Sequence, residues 1–298
     1  MNEKRTTDRI TPGTDGPAQE VCDVCFRHCH LTEGQRGFCH GRMLRDGKVV
    51  AANYGQITSM AFDPIEKKPL RRFHPGTKIL SIGSYGCNLS CLFCQNHDIS
   101  LANQRAEATV PVRDLTPEEV AQYAIFHRDP GNIGVAYTYN EPLIGWEFVR
   151  DTARLIHKAG MKNVLVTNGT ASLWVLEELL PYVDAMNIDI KAFSEDFYKR
   201  IAGGNLQMVK DFVERAVRDC HVEITTLIVP GLNDSAEEIR ALTSWIASLP
   251  HGSEIPYHVS RFFPRHQMTD RGPTPVEDVY RLAEVAREHL RYVYTGNC

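Results

Sequence analysis

The chain has 298 residues, 43% of them hydrophobic, with 33 Lys and Arg against 37 Asp and Glu for a formal net charge of -4. That supplies enough apolar material for one large domain with a small appendage, and it makes no electrostatic case for nucleic-acid binding, a local basic patch aside. No apolar run approaches the roughly 20 residues that span a bilayer, and the polar start, with Pro12, Gly13, Gly16 and Pro17, lacks the apolar core of a signal peptide.

Residues 1–20 read as a disordered lead-in. From Val21 to about Arg45 follows a compact Cys/His-rich unit that carries Cys22, Cys25, Cys29 and Cys39, with His28, His30 and His40 close by. Nine cysteines without a secretion signal argue for metal ligation in a cytoplasmic protein rather than for disulfides. A unit of about 25 residues buries too little core to hold itself together without a metal. Four thiolates here would close a zinc site or ligate an auxiliary [4Fe–4S] cluster. Zinc or another structural metal is slightly favoured, and composition does not separate the two. Residues 46–76 read as a connecting hairpin, built from Val49-Val50-Ala51 and Gln56-Ile57-Thr58, followed by the irregular loop Asp63-Pro64-Ile65-Glu66-Lys67-Lys68-Pro69.

From residue 77 to 298, short apolar runs alternate with longer amphipathic ones, the βα repeat of a parallel sheet or barrel. Strands are expected at Lys78–Gly83, Ile133–Thr138, Asn163–Thr167, Ala185–Ile190, Val222–Val229 and Ile255–Val259. Helices are expected at Pro117–His127, Leu143–Ala159, Ser172–Leu180, Leu206–Arg218, Ala236–Ser248 and Pro275–Leu290, with caps at Thr116, Ser235 and Thr274. Gly160 is placed as a helix stop, and Arg291–Tyr294 as a closing edge strand. Six βα units are too few for a closed eight-stranded barrel. The expected fold is therefore α/β, a partial (β/α)6 TIM-like barrel with a wide mouth at the C-terminal strand ends.

Chemistry concentrates at that mouth. Directly after the first barrel strand stand Cys87, Cys91 and Cys94 in a CxxxCxxC spacing, with Phe93 before the last cysteine. A cubane cluster normally takes four thiolates; three would leave one iron without a protein ligand, the open position of a catalytic site. A zinc site completed by His97 is the competing reading, and it would make the chain a non-catalytic scaffold. After the second strand come Asn140 and Glu141, a carboxylate and an amide suited to an ammonium group. After the third comes Thr167-Asn168-Gly169, and the fourth carries Asn187, Asp189 and Lys191 on one face. Asp189 and Lys191 would serve equally as an ion pair or as ligand contacts. His258 is read as a satisfied core histidine, and Cys220 as an ordinary buried thiol.

The cysteine spacing with its aromatic residue resembles that of radical S-adenosylmethionine (SAM) enzymes. The resemblance implies a [4Fe–4S] cluster on Cys87, Cys91 and Cys94 that binds SAM and cleaves it reductively to a 5′-deoxyadenosyl radical, which abstracts hydrogen from a substrate. It also implies a one-electron donor such as a flavodoxin or ferredoxin. The order of CxxxCxxC, an acidic residue before proline, Thr-Asn-Gly, Asp-x-Lys and Val-Pro-Gly is similar to the activating enzymes of glycyl-radical enzymes such as pyruvate formate-lyase. Under that resemblance Glu141 binds the methionine amino group, Asn168 holds methionine carboxylate and ribose, and Phe93 packs near adenine; Asn140, Asp189 and Lys191, read from their placement, complete the expected cofactor-binding set. Glu33-Gly34-Gln35-Arg36-Gly37-Phe38-Cys39, the Asp63–Pro69 block and Cys94-Gln95-Asn96 resemble the AmmeMemoRadiSam system radical SAM enzymes, which implies Ammecr- and Memo-family proteins as partners.

Overall fold

The computed structural model describes residues 19–101, 110–129 and 131–298. The polar lead-in therefore lies almost wholly outside the described residues. Its last two residues do not: they lead into a pairing in which Glu20 and Val21 run antiparallel to His30–Leu31. Next come the hairpin β1 (Arg42–Arg45) and β2 (Lys48–Ala51), then β3 (Ser59–Pro64) and β4 (Lys78–Gly83). From there helices and strands alternate: α1 (Pro117–Phe126), β5 (Asn132–Tyr137), α2 (Trp146–Lys158), β6 (Lys162–Thr167), α3 (Leu173–Leu179) and β7 (Ala185–Asp189). The chain ends with α4 (Leu206–Ala216), β8 (His221–Ile228), α5 (Ala236–Ala247), β9 (Tyr257–Arg261), α6 (Val276–Ala286) and β10 (Val293–Gly296).

The main sheet runs β10-β9-β8-β7-β6-β5-β4-β3. Strands β4 to β10 are mutually parallel, and β3 lies antiparallel on β4. Each strand sits beside its predecessor, which winds the sheet into a barrel with helices outside. Since β3 and β10 do not pair, the barrel stays open. Its parallel strands are buried on both faces and therefore read as apolar runs. No described helix is long and apolar enough to cross a membrane.

Local chemistry explains the boundaries. Helix α1 opens with a capping box: Glu119 N–H donates to the Thr116 hydroxyl, and Thr116 N–H to the Glu119 carboxylate. Helix α2 buries Phe148, Val149, Thr152, Ala153 and Ile156, one stripe at helical spacing, and stops at Gly160 with φ +70°. Three expectations need correction. Val49–Ala51 and Gln56–Ile57 do not pair with each other. Val49–Ala51 joins β1 across Asp46-Gly47, both at positive φ, the turn that Asp-Gly favours in a tight hairpin; Gln56–Ile57 pairs with Arg113–Asp114. The helix expected from Leu143 starts at Trp146 after a 3-10 turn over Pro142–Gly145. Thr274 does not cap α6, because its hydroxyl donates to Ile228 O at 2.6 Å and accepts from Phe262 N at 3.1 Å.

The Cys/His-rich segment packs on the outside of α2 and α3. Ser172 N–H donates to Val24 O, and the Trp174 indole donates to Asp23 O. Arg42, buried, donates to Glu147 at 2.6 and 2.7 Å.

Candidate active site

The cysteine loop leaves β4 and is held from two sides. Asn140 accepts from Ser84 N–H at 2.9 Å and donates to Tyr85 O and Gly86 O. Its amide thus fixes the turn, and Asn140 also lines the cavity that the cysteines face. On the other side the loop pairs with the segment after β7: Ser90 N–H donates to Ala202 O at 2.9 Å, Leu92 N–H to Ile201 O at 3.1 Å, and the Cys91 thiol contacts Ala202 O at 3.7 Å. Two glycines make these approaches feasible. Gly203 sits at φ +65°, where a Cβ would lie 2.2 Å from Ser90 Oγ; at Gly86, φ +89°, a Cβ would lie 2.4 Å from Cys39 O.

Cys87, Cys91 and Cys94 line one cavity of about 520 Å³ together with Phe93, Glu141 and Asn168. Asp189, Lys191, Thr225 and His258 line it as well. The sequence-predicted residues after β4, β5, β6 and β7 therefore converge. Burial pushes all three thiols up, Cys91 to about 12. Thiolates in such a place need a metal to be stable.

Glu141 is buried and accepts three bonds: Leu143 N–H at 3.0 Å, the Thr167 hydroxyl at 2.7 Å and Asn168 N–H at 2.8 Å. Burial still dominates and raises its carboxyl to about 7. Asn168 donates to Asn88 Oδ1 at 2.9 Å and toward Cys87 Sγ at 3.6 Å. Lys191 and Asp189 form an ion pair at 2.7 Å on the cavity wall. Burial works against the Lys191 ammonium, and Asp189 more than compensates, so its pKa is raised. Phe93 is buried at the cavity edge with its ring 5.9 Å from Phe197.

His97 is spent elsewhere: Nδ1 faces Cys94 O at 3.2 Å and Nε2 lies 3.1 Å from Asp98. It does not complete a zinc site with the triplet. Among the described residues, no three His, Cys, Asp or Glu side chains gather tightly enough to hold a single ion; a cubane, with one thiolate per iron, does not require that convergence. The same applies to Cys22, Cys25, Cys29 and Cys39, which are near neighbours whose thiol charges would repel one another. Thiolate donors on one loop, with a buried carboxylate that keeps one acceptor position on Oε2, fit an iron–sulfur cluster carrying a zwitterionic ligand.

Sequence reasoning missed Glu223. It is fully buried in β8 and binds His258 Nε2 at 2.6 Å and His221 Nε2 at 3.1 Å. His258 is buried, as expected, but it lines the cavity. A charged residue between Val222 and Ile224 in an apolar strand was the available signal.

The radical SAM superfamily model matches residues 81–245, more than half of the chain. The chain is a member of the radical SAM superfamily. An uncharacterised protein of Methanocaldococcus jannaschii is 42% identical over 278 residues, covering 93% of this chain and 80% of its own. Pyruvate formate-lyase 1-activating enzyme of Escherichia coli is 30% identical over 190 residues, 62% of this chain and 75% of its own, so this radical SAM protein is homologous to those activating enzymes. Indoleacetate decarboxylase activating enzyme of Tractidigestivibacter scatoligenes is 22% identical, covering 92% of this chain and 91% of its own. Streptococcus suis SuiB bound to SAM superposes with a TM-score of 0.55 at 13% identity, over 72% of this chain and 48% of that one, and shares the fold.

Proposed function

We propose that the chain is an enzyme that binds a [4Fe–4S] cluster on Cys87, Cys91 and Cys94 and cleaves SAM reductively, using the radical to abstract hydrogen from a substrate. The carrying observation is that the three thiols of one loop share a cavity with the buried, N–H-clamped carboxylate of Glu141. Cys87, Cys91 and Cys94 would hold the cluster, which when reduced would supply the electron that splits SAM into methionine and a 5′-deoxyadenosyl radical. Glu141 takes the ammonium of the methionine moiety, Asn168 steadies the loop through Asn88 and Cys87, and the Asp189–Lys191 pair offers both charges to carboxylate and ribose. Phe93 closes the adenine side. The electron comes from a flavodoxin- or ferredoxin-like donor.

Cys22, Cys25, Cys29 and Cys39 hold a second metal centre, zinc or an auxiliary cluster, in a unit spanning residues 21–45 against the core of residues 77–298. Homology to glycyl-radical-enzyme activating enzymes favours a second reading, in which the substrate is a backbone glycine of a partner polypeptide. The narrower kinship with AmmeMemoRadiSam enzymes rests on the Glu33–Cys39 and Asp63–Pro69 blocks, and Ammecr and Memo genes beside this one would support it.

The test is anaerobic reconstitution with iron and sulfide, followed by dithionite and SAM. The proposal expects 5′-deoxyadenosine in wild type and none in Cys91→Ala, which should lose about one cluster's worth of iron while metal at the N-terminal cysteines persists. Wild type that takes up iron yet releases no 5′-deoxyadenosine refutes the reaction.

A further inference from the structure

The Asp63–Pro69 block has no part in the chemistry above, yet it continues into a loop anchored along its length. The loop leaves the bottom of β3 and returns to the bottom of β4, beneath the barrel at the end opposite the cysteines. Ile65 and Leu70 are fully buried and form a cluster with Ile79, Ala136, Val164 and Ala185 of β4 to β7. Asn187 donates to Pro69 O at 2.9 Å. Glu223 then accepts Arg71 N–H at 2.9 Å and Arg72 N–H at 2.7 Å, beside its two histidines. The Arg72 guanidinium lies 4.2 Å over the Tyr292 ring, just before β10. At the other end, Asp63 takes Lys68 at 2.7 Å and the Tyr139 hydroxyl at 2.8 Å. The loop thus reaches from β3 to β10, the two strands that fail to pair.

We propose that residues 63–73 are a floor plug that closes the open barrel and forms the substrate-facing wall of its cavity, with Glu223 as the positioning residue that latches them. Its description as substrate-facing rests on the reaction proposed above; the latch itself does not. Glu66, Lys67, Pro69 and Arg71 reach the cavity from below while the cysteines line it from above. The Arg71 guanidinium has no partner among the described residues. A substrate that enters between the two ends meets a polar, charged floor, so the part that reaches the floor is polar. Glu223 also fixes the ring of His258: with the carboxylate on Nε2, the other ring nitrogen is the one left for a ligand. One buried carboxylate therefore sets both the floor and a wall of the cavity. Four donors converge on two oxygens, and an amide of the same size would turn its NH₂ toward at least one of them.

The experiment is limited trypsin digestion of the full-length protein, with cleavage after Arg71 and Arg72 followed by mass spectrometry. Wild type should resist there, and Glu223→Gln should be cut about tenfold faster or more, because bonds to a charged acceptor are lost. In ¹⁵N-histidine-labelled, cluster-free protein the strongly bonded His258 imidazole N–H resonance should be present in wild type and absent in Glu223→Gln, which a merely local packing role would not produce. Equal cleavage and an unchanged imidazole signal overturn the latch. If Glu223→Gln does not fold, amide exchange in wild type decides: protection of Arg71 and Arg72 at the level of the barrel strands supports the plug, and loop-like exchange overturns it. None of these readouts uses the cluster or SAM. Wild type that cleaves SAM but leaves Arg71 and Arg72 unprotected sinks the plug alone, while a protected floor without SAM cleavage sinks the reaction alone.

Discussion

Glu141→Gln separates what the carboxylate costs the fold from what it gives the ligand. In the folded chain the carboxyl is raised from 4.5 to about 7 by burial, against the three hydrogen bonds it accepts. A raised carboxyl pKa means that the folded state holds its proton longer than the unfolded chain does. Its contribution is most favourable below pH 4.5 and is lost as pH climbs through 7. Linkage over those two values gives a loss of about 2.5 kcal/mol between pH 5 and pH 8. Glutamine does not titrate, so the stability of the variant relative to wild type should rise by that amount over the same interval. For a chain of this size that is a relative gain of roughly 4 °C in melting temperature. The offset at pH 5 favours wild type, because the glutamine NH₂ faces Asn168 N–H or its neighbours and leaves a buried donor unpaired, at about 1–3 kcal/mol. Melting curves of reduced, chelator-treated protein at pH 5, 6, 7 and 8 measure both quantities. Parallel curves for the two proteins would refute the assignment of a buried, half-protonated carboxyl. SAM affinity moves the other way: the variant should bind more weakly by a margin that widens as pH rises through 7, where the wild-type carboxylate ionises and the neutral amide offers no counter-charge to an ammonium.

Asp63→Asn leaves the ammonium of Lys68, 3% exposed, without its partner, and should cost about 3 kcal/mol. Burial disfavours the Asp63 carboxylate, but Lys68 and Tyr139 outweigh it and hold the pKa at about 2; the advantage of wild type is therefore full above pH 3.8 and should shrink as pH falls toward 2, as urea midpoints across that range would show. Gly203→Ala forces a Cβ to within 2.2 Å of Ser90 Oγ at a left-handed residue, which should cost about 1–2 kcal/mol and lower the iron retained on the Cys87–Cys94 loop through anaerobic gel filtration. Adding Ser90→Ala should recover part of that iron, and no recovery would mean that backbone strain alone is responsible.

The features legible in the sequence are those whose partners are close in the chain. The capping box at Thr116 and Glu119 spans three residues, and the cysteine triplet follows its strand directly. The strand Lys78–Gly83 was expected with the same bounds, since an apolar run between a lysine and a glycine-rich turn has one reading in an α/β chain. Thr274 was misread because a threonine before a proline and an acidic turn is a cap by local rules, whereas its hydroxyl is drawn to Ile228, 46 residues away. Glu223 was missed for a similar reason: the charge in an apolar strand was legible, but its backbone donors lie 151 and 152 residues earlier. The strand Ser59–Pro64 escaped because none of it is fully buried at the sheet edge, so its pattern reads as loop.

Distance in the chain also explains why the N-terminal unit cannot be treated as a detachable appendage. Arg27, two residues past Cys25, donates to Asn88 O at 2.6 Å and to Gly203 O at 2.7 Å. It therefore clamps the loop that carries Cys87 to the segment that pairs with it. Asn88 in turn donates to Thr170 O and accepts from Asn168, and its side chain reaches the Cys25 thiol. Asn168 also touches Cys87. The two cysteine sets are thus linked through a pair of bonded asparagines, Asn88 at Cys25 and Asn168 at Cys87, and at Gly86 Cys39 O occupies the space a side chain would take. A metal that orders the N-terminal unit orders Arg27 with it. The geometry of the Cys87–Cys94 loop is then set from outside the barrel as much as from within it.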